Sequence, residues 1–305
     1  MMKKHFKKLV NLALTAVMVM GMSTTTFAKE SNNISNDTVT KTNNIIYSPE
    51  FPDAYIVTET SPAPNNYSLN NESKQLDTIT ATVFVEETLA TDKNEDIYVS
   101  NSRLLSKDEV ENIGIDNFSN INTMSTSRAA KRTYGKLTLT FSGSQSISGK
   151  SVSCKLNGNA NWDFGAFTSS EKNPAIGKDF MGITWSGLFT TNSSSCSATD
   201  LTGKVTYPTM VDSIANGGRV WSFEESLFED HFANYNKNIN ATINIKKNTM
   251  TGNGNTAEAV LKYIHTYQKT TGSVSMNVGS DSVSAGFTLS LSLIHISEPT
   301  RRRGI

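Results

Sequence analysis

From Thr133 onward, apolar residues recur at every second position. Leu137, Leu139 and Phe141 alternate with Thr138 and Thr140, and Val152, Cys154 and Leu156 alternate with Ser151, Ser153 and Lys155. A period of two belongs to a strand, because successive side chains point to opposite faces. The same phase turns Cys154 toward a core. Further strands are predicted over 181–190, 195–207, 219–227, 239–246, 257–268, 273–278 and 282–290. Turn residues separate them: Asn157-Gly158, Asn216-Gly217-Gly218, Thr251-Gly252-Asn253-Gly254-Asn255 and Gly279-Ser280-Asp281. This spacing predicts an antiparallel β-sandwich or barrel over 133–290.

Upstream the pattern changes. Residues 76–120 read as a small mixed α/β module. Ile79, Ala81, Val83 and Val85 alternate with Thr80, Thr82, Phe84 and Glu86 as a strand, and Ile97-Tyr98-Val99 is a second. Ser106 and Glu109 have the spacing of a capping box, Leu105 and Val110 that of a hydrophobic staple, and Gly114 is placed to end the short helix. Residues 121–132 are a polar linker ending in Arg128-Ala129-Ala130-Lys131-Arg132. Residues 29–75 are expected to be disordered, because Asn and Pro dominate and little apolar area is on offer to offset the entropy of ordering. Tyr47, Phe51, Tyr55, Ile56 and Val57 make a short apolar patch within that stretch.

The two ends stand apart. Lys3, Lys4, Lys7 and Lys8 precede an apolar run from Leu9 to Met22, and Thr26-Phe27-Ala28 follows. This is the layout of a secretory signal peptide over 1–28, cut after Ala28, and it points to a secreted, Gram-positive bacterial precursor. The run is shorter than the roughly 20 residues of a membrane-spanning helix. At the other end, Leu291 to Arg301 resembles the one-frame translation of a transposase adapter used in preparing DNA libraries. Residues 291–305 are therefore expected to be absent from the natural protein, whose β domain would continue past Ser290.

Charge follows from these ends. The chain has 28 basic and 28 acidic residues. Without 1–28 (four lysines) and 291–305 (three arginines, one glutamate), 21 basic residues face 27 acidic ones, a net of −6. Such a balance offers nothing to nucleic acid, and membrane contact is not favoured. The two cysteines, Cys154 and Cys196, form a candidate disulfide in an exported protein. Their spacing matches no zinc or redox pattern.

Candidate chemistry is sparse. The cluster Phe223-Glu224-Glu225-Ser226-Leu227-Phe228-Glu229-Asp230-His231-Phe232 places acids opposite an apolar stripe, the ordinary pattern of a solvated face. Leu261, Tyr263, His265 and Tyr267 share one strand face, a candidate polar binding surface or a half-buried one. Trp162, beside Asp163 in a turn-rich stretch, is the tryptophan placed best to stack on a sugar; Trp185 and Trp221 lie mid-strand and read as core. Residues 273–290 form a regular amphipathic hairpin with few charges, which fits a sandwich hairpin and also a pore-forming stem. No pattern calls for a metal, a cofactor or a catalytic residue. The expected function is an extracellular binding or surface-interaction module whose partner is a glycan or a protein. The alternatives are a secreted membrane-active effector and an exported hydrolase.

Overall fold

The computed structural model describes residues 14–23, 42–48, 51–63, 73–91, 97–114, 131–164, 177–186, 189–200, 203–227, 233–234, 236–248, 256–265, 271–277 and 286–292. In chain order the strands are β1 (Leu14–Ser23), β2 (Thr42–Ser48), β3 (Phe51–Ser61), β4 (Ser73–Gln75), β5 (Thr78–Thr91) and β6 (Ile97–Leu104). Helix α1 (Lys107–Ile113) follows, then β7 (Lys131–Ser148), β8 (Ser151–Phe164), β9 (Gly177–Trp185), β10 (Thr190–Asp200), β11 (Val205–Thr206) and β12 (Thr209–Ile214). The rest are β13 (Gly218–Leu227), β14 (Ala233–Asn234), β15 (Asn236–Lys247), β16 (Thr256–His265), β17 (Thr271–Asn277) and β18 (Gly286–Ser292).

The larger antiparallel sheet runs β11-β10-β15-β8-β7-β5-β3-β2, with β4 beside β7 and β6 beside β5. The smaller runs β1-β16-β9-β13-β12, with β14 beside β13, and β17 and β18 form a separate hairpin. Each sheet has two free ends, so neither closes into a barrel. Their inward faces share one core. Val83, Leu139, Phe141, Leu156 and Ile243 come from the larger sheet; Met181, Ile183, Trp185, Trp221 and Leu261 come from the smaller. The protein is mainly β and antiparallel, with its two sheets stacked in the manner of a β-sandwich.

Local chemistry explains several elements. On β8, every second residue from Val152 to Trp162 is buried. Gly158 lies in the middle of this strand, not in the turn that Asn157-Gly158 predicts. A Cβ at Gly158 would stand 2.7 Å from Leu261 Cδ1 and 3.2 Å from Ile183 Cδ1. The glycine marks a close approach of the facing sheet, the other role glycine takes in a strand. The true β7–β8 turn falls at Gly149, whose φ is +59°. The hairpin from β12 to β13 does turn at Ala215-Asn216-Gly217.

The capping box forms. Ser106 Oγ accepts from the Glu109 backbone N–H at 3.4 Å, and the Ser106 N–H donates to Glu109 Oε2 at 2.9 Å. Arg103 joins this helix start to β5, donating to Glu86 at 3.1 Å and to Glu109 at 3.1 Å. With Arg103 first among the causes, the Glu109 carboxyl is held down at about 2. Leu105 and Val110 are buried against Phe84, and Tyr55 stacks on Phe84 with ring centroids 5.7 Å apart. The helix thus covers the outward side of β5, a strand hydrogen-bonded to β7 within the larger sheet.

Two stretches upstream of residue 76 also form strands. Residues 42–48 and 51–61, assigned to a disordered stretch, are strands: β2 pairs with β3, and β3 pairs with β5 from Ile56–Val83 to Ser61–Thr78. A pre-formed sheet edge supplies the backbone partners that such a segment lacks alone, and Ala54 is buried there. The apolar run read as a leader is also a strand: β1 pairs with β16 from Leu14–His265 to Ser23–Thr256. No helix among the described residues is long and apolar enough to cross a membrane.

Candidate functional site

Two regions carry the protein's polar chemistry. The first lies in the core. Strand phase turns Glu87 inward with Val83 and Val85, and Asp179 inward with Met181 and Ile183. It likewise turns Tyr263 and His265 inward with Ala259 and Leu261, and Trp162 inward with Leu156 and Ala160. The five meet between the sheets. Trp162 Nε1 donates to Tyr263 Oη at 2.9 Å, and Tyr263 Oη donates to Asp179 Oδ2 at 2.5 Å. His265 Nδ1 lies 2.9 Å from Asp179 Oδ2, and His265 Nε2 lies 3.0 Å from Glu87 Oε1. The Trp162 ring packs 5.1 Å from the His265 ring, centroid to centroid.

All five residues are at most 2 % exposed. Both imidazole nitrogens face carboxylate oxygens. A neutral imidazole donates at one nitrogen and accepts at the other, so the set coheres only with an additional proton on the ring or on a carboxyl. Glu87 Oε2 has no hydrogen-bond partner among the described residues. The arrangement binds the larger sheet (Glu87, Trp162) to the smaller (Asp179, Tyr263, His265). Among the described residues it is closed off from solvent. No group of three or more His, Cys, Asp or Glu among the described residues could hold a metal ion.

The structure places Trp162, Tyr263 and His265 in the core. Trp162 is 1 % exposed in mid-strand. Tyr263 and His265 do share a face, and that face is the core. Asp163 points the other way, half-buried, with Lys136 Nζ 3.5 Å from its Oδ2. Tyr267 and His231 lie outside the described residues. Trp185 and Trp221 are core residues as expected, with Trp185 Nε1 donating to the Phe189 carbonyl at 2.8 Å. Of the acid-rich cluster around Glu225, the part up to Leu227 is strand β13, matching the strand predicted over 219–227.

The candidate disulfide is absent: Cys154 and Cys196 are both free and buried. They flank β15 on opposite sides, Cys154 paired with Ile245 and Cys196 with Ala241. Two strand spacings and a four-residue offset separate their Cα atoms by roughly 15 Å or more, well beyond the about 7 Å a disulfide allows. Inward phase places both in the core but does not make them neighbours. Burial pushes both thiols up to about 12, which suppresses the reactive thiolate.

The second region is the outward face of the larger sheet. Asn157, Asn159 and Asn161 on β8 face Asn238, Asn240, Thr242 and Asn244 on β15. Their side chains bond to one another: Asn159 Nδ2 donates to Asn240 Oδ1 at 2.8 Å, and Thr242 Oγ1 to Asn157 Oδ1 at 3.1 Å. This neutral lattice leads into a groove of about 270 Å³ across β7, β8, β15 and β10. One row of the groove is Ser144, Lys155, Asn244 and Ser193, and the next is Ser146, Ser153 and Lys246. Asn244 Nδ2 donates to Ser193 Oγ at 2.8 Å.

Sequence reasoning missed Glu87, Asp179, Lys155 and Lys246. The first two carried a signal: an acid in the inward phase of a strand otherwise apolar on that side. The lysines carried none, since a lysine in the outward phase is ordinary. No protein-family model, curated protein or solved structure matches the chain.

Proposed function

We propose that the protein is exported and that its β domain binds an extracellular, hydroxyl-rich partner on the outward face of the larger sheet. The observation that carries this reading is the lattice of Asn, Ser and Thr side chains across β7, β8, β15 and β10, running into a concave groove. Paired donors and acceptors on a rigid sheet suit hydrogen bonding to saccharide hydroxyls at low ordering cost. His265, sealed between carboxylates, offers no support to the hydrolase alternative. In this reading residues 1–28 act as the leader, and their removal would free the β16 edge that β1 occupies. Screening the secreted protein against immobilised cell-surface polysaccharides is expected to give saturable binding. An Asn159→Asp, Asn240→Asp double variant is expected to weaken it severalfold, because the added charges repel one another and break the Asn159–Asn240 bond. Unchanged binding by the double variant would remove this face from the proposal.

One observation favours the membrane-active alternative. The β17–β18 register pairs Val274 with Leu289 and Met276 with Phe287, while Ser273 pairs with Ser290 and Ser275 with Thr288. Apolar and small polar pairs thus alternate along two uncharged strands, as in strands that cross bilayers. Dye release from liposomes, abolished by Val274→Asp, would bear this reading out. Intact liposomes at micromolar protein would sink it.

A further inference from the structure

We infer that the groove over Ser144, Lys155 and Lys246 is a binding site for an anionic saccharide, a sugar unit carrying a carboxylate, sulfate or phosphate. This inference rests on the proposed binding function and names its ligand class.

The argument begins with the two lysines. Lys155 pairs with Asn244 and Lys246 pairs with Ser153, so the lysines occupy diagonal positions on the outward side of β8 and β15. Diagonal side chains on one face stand about 7–8 Å apart. Two lysines anchored at that spacing repel, and opposite charge on a neighbouring strand is the usual remedy. Here none is supplied. No acidic residue lines the groove, and among the described residues neither lysine has an ion-pair partner. The ion pairs elsewhere on this sheet underline the contrast: Lys136 faces Asp163, and Arg103 faces Glu86. An anion between Lys155 and Lys246 converts their repulsion into two charge-assisted hydrogen bonds.

The surroundings select among anions. Ser144, Ser146, Ser153 and Ser193 offer hydroxyls that donate or accept, and Asn192 and Asn244 offer amides that do both. A bare inorganic anion uses donors only. A sugar ring bearing an acidic group uses donors and acceptors together. The groove volume, about 270 Å³, approaches the lower end of small-ligand pockets, roughly 300 Å³. The neutral lattice beyond it continues the row of amides and hydroxyls for further sugar units.

Calorimetry on the full chain decides the matter with three probes: an oligogalacturonate tetramer, an uncharged tetrasaccharide and inorganic phosphate. The uronate is expected to bind best, with affinity falling as salt rises. Lys155→Gln and Lys246→Gln are each expected to weaken it about tenfold, and Lys155→Arg to retain it. Both lysines are exposed, so the variants should fold, and far-UV circular dichroism verifies this. Preference for the uncharged sugar, or uronate binding indifferent to both Gln variants, would overturn the groove assignment while leaving a binding module. Phosphate competing as well as the uronate would overturn the saccharide assignment. Absence of binding to any saccharide would overturn both readings.

Discussion

Replacing Asp179 with alanine is expected to destabilise the protein by about 3–5 kcal/mol, the cost of breaking a buried charged set by removing one member. Asp179 is fully buried, accepts from Tyr263 Oη and lies 2.9 Å from His265 Nδ1. Its loss strands a phenol hydroxyl and an imidazole nitrogen in the buried core, where an unsatisfied polar group costs most. Removing His265 instead leaves Glu87 and Asp179 buried without the cation or donor between them, and an effect of the same size is expected. Turning Glu87, Asp179 and His265 together into apolar residues of similar volume should cost less than the sum of the single changes, since no unpaired charge remains and only the Tyr263 hydroxyl loses its acceptor. Urea unfolding of the wild type, the three single variants and the triple variant is the measurement. A loss below about 1 kcal/mol for Asp179→Ala would mean that the network does not hold the sheets together.

Trp162→Ala carries the second large effect, expected at about 3–5 kcal/mol. The indole is 1 % exposed, packs on both Tyr263 and His265, and donates to Tyr263 Oη at 2.9 Å. Alanine would leave a cavity between the sheets and remove one donor from a hydroxyl that already serves Asp179. Trp162→Phe separates the two contributions. It keeps much of the volume and deletes the N–H, so roughly 1–2 kcal/mol is expected from the hydrogen bond and the smaller ring. Binding to a saccharide should survive Trp162→Phe, because the ring faces the core and not the groove. Loss of binding in a variant that melts normally would put Trp162 back at a ligand site.

The capping box at Ser106 and Glu109 was readable from four residues because both partners lie within one helical turn. The β character of 133–290 was readable for the same reason: alternation is a local property of strand geometry. The failures share a different cause. Asn157-Gly158 has the composition of a turn, yet it is strand because Leu261 crosses directly above it. Cys154 and Cys196 both face inward, yet β15 separates them. Residues 51–61 lie in an Asn- and Pro-rich stretch, yet they pair with β5.

From the sequence alone came the strand period, the phase that divides inward from outward side chains, and the short helix with its cap. Phase placed Tyr263 and His265 on one face and left open whether that face was wet. The stacking of the second sheet decided it, because a strand's inward side becomes core only where another layer covers it. The same stacking set His265 Nε2 against Glu87, 178 residues away in the chain. It also left Lys155 and Lys246 outward on neighbouring strands. Such meetings depend on the order and register of strands far apart in sequence. No local pattern encodes that order, because each strand's backbone presents nearly the same hydrogen-bonding groups to any neighbour.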